Sequence, residues 1–297
     1  MSARNWLVTA FGLVCVAVLA VFNIPDRIPQ VDLVERASQF AAALRSDAPY
    51  RPPTVREGET ALAGLIPLLT GGKDTQSEMQ TLTPLGFTLT SGTDSATGRR
   101  FTMAASQPGD ERGWGLFLGD YGAQTRQVIE VPHPNFDLDT EMLGVQLYRA
   151  LPGSAVLIAG AHRRAANGAA DVAHNANSLF NLVATALAHQ GLPQIQLHGF
   201  DDSSLPGTGV VVSGGSTPHT QLHEHIADHV EAGGMVVCRA WQQSCGNLEG
   251  TTNVQGQAAD SMGTVFAHIE SDGSIRMDPQ LRDRVVTALA AAISSGP

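Results

Sequence analysis

Between Val131 and Glu141 the chain reads VPHPNFDLDTE, which sets one imidazole, His133, ahead of three carboxylates, Asp137, Asp139 and Glu141. Imidazole nitrogen and carboxylate oxygen suit a catalytic zinc, which takes three protein ligands and keeps one position open. His133 and Asp137 are near enough in sequence to grip one ion from a single turn, and His198, in the later QLHGF, can supply a distant third ligand. Asp139 and Glu141 are rivals for the carboxylate position, or partners that orient an imidazole.

A second informative stretch is GAHRRAANGAADVAHN, Gly160 to Asn175. Arg163 and Arg164 can pair bidentately with a carboxylate or polarise a scissile carbonyl, and His162 and Asn167 add polar contacts, so this reads as a substrate loop. Arg239 is a further candidate anion contact, and Arg276 a weaker one. The histidine-rich HEHIADH, His223 to His229, fails the HExxH arrangement because Ala227 stands where the second histidine belongs, and reads as a partly exposed helix face. No GxSxG elbow, Walker loop or GxGxxG appears, and VSGGSTP reads as a turn between a strand and a helix.

The elements that must position these residues are legible as patterns. Short strands are expected at Phe87–Thr90, Arg100–Ala105 and Trp114–Leu118, joined by the turn-rich SGTDSATG and SQPGDERG, as an antiparallel extension. Continuous apolar runs follow at Val128–Val131, Ala155–Ala159, Ile195–His198, Val210–Ser213, Met235–Cys238 and Thr264–Glu270, as buried parallel strands require. Helical spacing lies between them at Leu179–Leu187, after Thr217-Pro218, and after Asp278-Pro279. The expected fold is an α/β sandwich with a mainly parallel sheet. Ligands in such sheets collect beyond the carboxyl ends of the strands, where His133, the His162 loop, His198 and Glu270 all fall.

A His-plus-carboxylate loop, a later Leu-His-Gly at a strand end and a glutamate on a late strand resemble the zinc-dependent carboxypeptidase-like hydrolases. In style they are closer still to the poly-γ-glutamate hydrolases and N-formylglutamate amidohydrolases. The resemblance covers about Val128 to the carboxyl terminus. Carboxypeptidases space the first pair as His-x-x-Glu, whereas here Phe136 holds that position and Asp137 follows one step later. The resemblance implies a three-layer, phosphorylase/hydrolase-like sandwich with a mainly parallel mixed sheet. It also implies Glu270 as the general base beside a zinc ion, and strand alternation sets His268 on the same face as its neighbour.

The chain has 297 residues, 43% hydrophobic and 15% charged, enough for one large core. Its formal net charge of −10 disfavours nucleic acid. Arg4 followed by an uncharged run from Trp6 to Phe22 reads as an export signal or a retained membrane anchor over residues 1–24, with Val18 and Ala20 as the small-residue positions of a cleavage site. Residues 25–80 read as a helical and linker segment, and 81–297 as the hydrolase domain with its antiparallel extension at 81–120. Cys238 and Cys245 read as a small-loop disulfide of an oxidising compartment. The combined expectation is an exported zinc hydrolase cleaving an amide or peptide bond beside a carboxylate, with a small or peptidic carboxylate-bearing substrate. The alternative is a noncatalytic extracytoplasmic binding protein of the same fold.

Overall fold

A computed structural model describes residues 28–72 and 75–295. The expected export segment lies outside the described residues, and no helix among them is long and apolar enough to cross a membrane. Ten strands form one sheet: β1 (Gln30–Val31), β2 (Phe87–Asp94), β3 (Arg100–Ser106), β4 (Leu116–Asp120), β5 (Gln127–Val131), β6 (Ser154–Ile158), β7 (Gln194–Gly199), β8 (Val210–Ser213), β9 (Val237–Arg239) and β10 (Phe266–Ser271). Their spatial order is β1-β2-β3-β4-β6-β5-β7-β10-β8-β9. The central β6, β5, β7 and β10 run parallel, so their carboxyl ends share one rim. The meander β2–β3–β4 pairs antiparallel and joins the same sheet through β4 and β6.

The helices are α1 (Leu33–Ala42), α2 (Val55–Leu69), α3 (Thr75–Leu82), α4 (Thr140–Ala150), α5 (Leu179–Ala188), α6 (Gln221–Ala232), α7 (Val254–Ser261), α8 (Gly273–Met277) and α9 (Pro279–Ser294). Strand alternation divides the core between them. Ile129, Val131, Val156, Ile158, Ile195 and Leu197 face α1, α4, α6 and α9, while Val128, Ala155 and Leu157 face α2, α3 and α5. The result is the three-layer α/β sandwich with a mixed sheet. Each fully buried Leu or Phe contributes about 1.5–3 kcal/mol to holding the layers together.

Local chemistry accounts for two departures from the expected elements. The helix expected after Thr217-Pro218 starts three residues later, because the Thr217 hydroxyl donates to Gly214 O at 2.8 Å and closes a turn, while Thr220 and His223 form a reciprocal capping box. His223 of HEHIADH is thereby a buried cap. The second departure is β8, which pairs antiparallel with β10 and parallel with β9. A strand buried on both faces reads as a continuous apolar run whichever way it points, so direction is absent from that pattern.

Candidate metal centre

One face of the central strands carries polar residues where the other carries aliphatic ones. Glu130 of β5, Gln194, Gln196 and His198 of β7, and His268 and Glu270 of β10 are all buried there. The register pairs Glu130 with Gln196, and Gln196 and His198 with His268 and Glu270 respectively. His133 follows the end of β5, so the His133, His198 and Glu270 side chains converge on the shared carboxyl rim.

Asp137 reaches the histidines through a turn. Its backbone N–H donates to His133 O at 3.0 Å, the Thr140 hydroxyl donates to Asp137 O at 2.7 Å, and Asn135 and Asp139 take positive φ on either side. That one-turn separation brings the carboxylate back over the imidazole. Asp137 Oδ2 lies 3.1 Å from His133 Nδ1 and 3.2 Å from His198 Nδ1. His133, Asp137 and His198 are 2%, 4% and 4% exposed, so water does little to weaken their mutual field. Asp139 instead lies 3.8 Å from Arg282, and Glu141 is buried in α4 with Oε2 unpartnered among the described residues. Burial pushes the Glu141 carboxyl up to about 7.

Electrostatics separates the roles of these groups. Burial opposes a charged His133 ring, but the carboxylates of Asp137 and Asp171 outweigh it and hold its pKa above the ordinary histidine value. Burial alone would raise Asp137, yet the two imidazoles beside it hold it well below the usual carboxylate range. His198 is pushed by burial down to about 4, which keeps its ring neutral. Glu270 is driven well above the carboxylate range by burial, with the Asp137 charge adding to it. Among the described residues, neither its Oε2 nor the Nδ1 of His268, both buried, has a hydrogen-bond partner.

Two groups of described residues have donor atoms close enough to hold an ion: His133, Asp137 and His198, and His198, His268 and Glu270, each within 4.8 Å. The first set, two imidazoles and a carboxylate, fits a divalent metal by donor type. His225 and His229 belong to neither set.

The Gly160–Asn175 loop divides in two. Arg163 lines the cleft, yet its Nε and Nη2 both donate to Asp171 Oδ2, and its Nη1 lies 3.3 Å from His133 Nδ1. Asp171 Oδ1 accepts from His133 Nε2 at 2.9 Å, so this carboxylate orients the imidazole. Asp171 was not singled out from the sequence, although its loop was. Its position four residues before Asn175 in a loop after β6 was the available signal. Arg164 is exposed over the Phe136 ring, whose edge His162 also meets at 5.6 Å, and Asn167 is exposed at positive φ. Arg239 is not brought to the cleft: its guanidinium pairs with Asp228 and Glu231 on α6. Arg276 donates to the carbonyls of Leu138, Phe200 and Ser271, bracing the rim from beneath.

The cleft measures about 540 Å³, and its outer wall is the loop Gly246–Asn253. Cys238 and Cys245 are joined by a disulfide that ties the start of this loop to β9. Gly250, at φ +65°, lies against the His268 ring, where a Cβ would come within 2.5 Å of Cδ2. No side chain fits there.

No family model and no curated protein matches the chain. Among solved structures it is similar to a bacteriophage poly-gamma-glutamate hydrolase (14% identity, TM-score 0.43, 58% of this chain and 86% of that one). It is similar also to N-formylglutamate amidohydrolase from Ralstonia eutropha JMP134 (13% identity, TM-score 0.42, 58% and 94% of the two chains). A third is a candidate carboxypeptidase A from Shewanella denitrificans OS-217 (14% identity, TM-score 0.42, 75% and 68%). At these identities and TM-scores the likeness assigns no chemistry to this chain.

Proposed function

We propose that the protein is an exported, zinc-dependent hydrolase that cleaves an amide or peptide bond beside a carboxylate. One observation carries this reading: His133 Nδ1, His198 Nδ1 and Asp137 Oδ2 converge in a buried site, with an unpartnered Glu270 carboxylate at the same rim. Those three side chains would hold the ion. When bound there, zinc acts as a Lewis acid and makes water nucleophilic at neutral pH.

The remaining chemistry belongs to the chain. Glu270, unpartnered at the same rim among the described residues, would take a proton from the attacking water and return it to the leaving nitrogen. Asp171 holds His133 in register, and Arg163, fixed by Asp171 along one edge, presents its remaining donors to the anionic part of the substrate. The loop Gly246–Asn253 walls the cleft, and its disulfide suits an oxidising compartment.

The test pairs elemental analysis of the purified full chain with hydrolysis of a panel: a γ-glutamyl polymer, an N-acyl amino acid and a cell-wall peptide. One zinc per chain, chelator-sensitive turnover and an inactive Glu270→Gln variant that still holds zinc are expected. Protein without stoichiometric zinc that turns over none of the panel overturns the reading in favour of a binding protein, and turnover indifferent to chelator overturns its zinc dependence.

A further inference from the structure

Beneath His198 lies a chain of buried amides whose orientations can be read from backbone atoms. Asn253 Oδ1 accepts from the backbone N–H of Gln255 at 3.0 Å and of Gly256 at 3.5 Å, capping α7. Its Nδ2 is therefore the group turned toward Gln196, and it donates to Gln196 Oε1. On the opposite side, Gln255 Nε2 donates to Val172 O at 2.9 Å and to Asn181 Oδ1 at 3.1 Å, and Asn181 Nδ2 donates to Ala176 O at 2.9 Å. Gln255 thus offers only Oε1 to Gln196, which meets it with Nε2 at 3.2 Å and reaches Glu130 Oε2 with the same nitrogen at 2.7 Å.

A carbonyl oxygen is always an acceptor and a backbone N–H always a donor, so both routes fix the Gln196 amide without ambiguity. Turning it over would set two donors against each other at Asn253 and two acceptors at Gln255. Gln196, Asn253 and Gln255 are 0%, 3% and 2% exposed, so no water relieves such clashes. Gln196 Oε1 also lies 2.7 Å from His198 Nε2. That contact requires the proton of a neutral His198 to sit on Nε2, and it leaves Nδ1 as a bare lone pair facing Asp137 Oδ2 at 3.2 Å. Two acceptors so placed in a buried site call for a cation between them.

We propose that Gln196 is a positioning residue that presets His198 as an Nδ1 metal donor, its own amide being oriented by the backbone through Asn253 and Gln255. The inference rests on the reading of His198 as a metal ligand. It adds that the ligand's tautomer is fixed before any ion arrives, and that the wall loop ending at Asn253 shares in fixing it.

Two variants and two readouts test this. Nitrogen-15 NMR of metal-free full-length protein at pH 7.5 reports the His198 tautomer, and chelator competition reports zinc affinity. In the wild type the Nε2–H form is expected alone. Gln196→Met removes the acceptor and is expected to mix the tautomers and weaken zinc binding about 10–100-fold. Asn253→Asp keeps the α7 cap but replaces the donor facing Gln196 with an acceptor, and should populate the Nδ1–H form. An Nδ1–H wild type overturns the proposal. So does a Gln196→Met or Asn253→Asp protein that matches wild type in both readouts. A wild type that shows the Nε2–H form yet binds no zinc overturns the metal reading and leaves the tautomer assignment standing.

Discussion

The two ends of the parallel strands carry cavities of different character. Beyond the amino ends of β5, β6, β7 and β10 lies the larger one, about 870 Å³, with Leu151, Leu222, Val265 and Ile293 in its walls and Arg99, Arg100 and Arg126 on it. Its half-buried arginine is largely matched: Arg99 reaches Asp120 and donates to Tyr148 O at 2.6 Å, leaving its Nε buried without a partner among the described residues. Arg100 lies over the Tyr121 ring at 3.8 Å. Beyond the carboxyl ends the smaller cleft holds buried groups whose polarity the protein leaves unmatched, among them Glu270 Oε2 and His268 Nδ1. Volume and the gathering of buried unmatched acid and imidazole therefore point to different rims. A buried polar atom without a partner costs about 1–3 kcal/mol, and several gathered on converging strands mark where a ligand belongs.

The contrast can be broken most directly at its strongest point. Glu270→Gln should reduce turnover about 10²–10⁴-fold with zinc content unchanged, whereas Arg126→Ala at the other rim should leave turnover at the wild-type value. Equal losses from the two variants, measured as steady-state rates on the same substrate, would dissolve the distinction. The next effect concerns metal affinity: Asp171→Asn loses the charge that orients His133 and is expected to weaken zinc binding about 10–100-fold in chelator competition. Replacing Cys238 and Cys245 by serine should lower unfolding free energy by about 2 kcal/mol in denaturant titration, and raise KM more than it lowers kcat, since the tethered loop forms the cleft wall.

The smallest expected effect tests whether unmatched polarity alone makes a site. Glu141 is also buried and unpartnered, but it stands outside both candidate donor sets. Its carboxyl is held up to about 7 against 4.5 for the ordinary group, so between those values the folded chain keeps a proton that the unfolded chain has lost. Stability must then fall as pH rises through that window and level off above it. Glu141→Gln is expected to recover about 1 kcal/mol at pH 8, with no gain below pH 4 and no change in turnover. Thermal unfolding at the two pH values reads the difference.

Much of the architecture was legible because hydrophobic patterning is local. Continuous apolar runs alternating with helical spacing are enough for a sandwich around a largely parallel sheet, and the strand-end rule then places His133, His198 and Glu270 on one rim. The direction of β8 was not legible, since burial on both faces erases alternation. A further signal stood in the open: QIQLHG in β7 sets polar residues at every second position of an otherwise apolar strand, and VIEV in β5 holds a lone Glu130 among apolar neighbours. That pattern puts Gln196 on the same face as His198, and the register between the strands adds Glu130 to it.

By itself, then, the amino-acid sequence determined the layers, the rim and most of the donor types, because these follow from residue spacing of two and of three to four. Tertiary structure alone decided which carboxylate meets the histidines, because Asp137 returns over His133 only through a turn held by Thr140 and flanked by residues at positive φ. It also withdrew Arg239 to α6, recruited Asp171, and oriented Gln196 through amides on three separate elements. The contacts of Asp171 with His133, of Asp137 with His198 and of Gln255 with Asn181 join residues 38, 61 and 74 positions apart, and no local pattern encodes which partner a polar side chain will find.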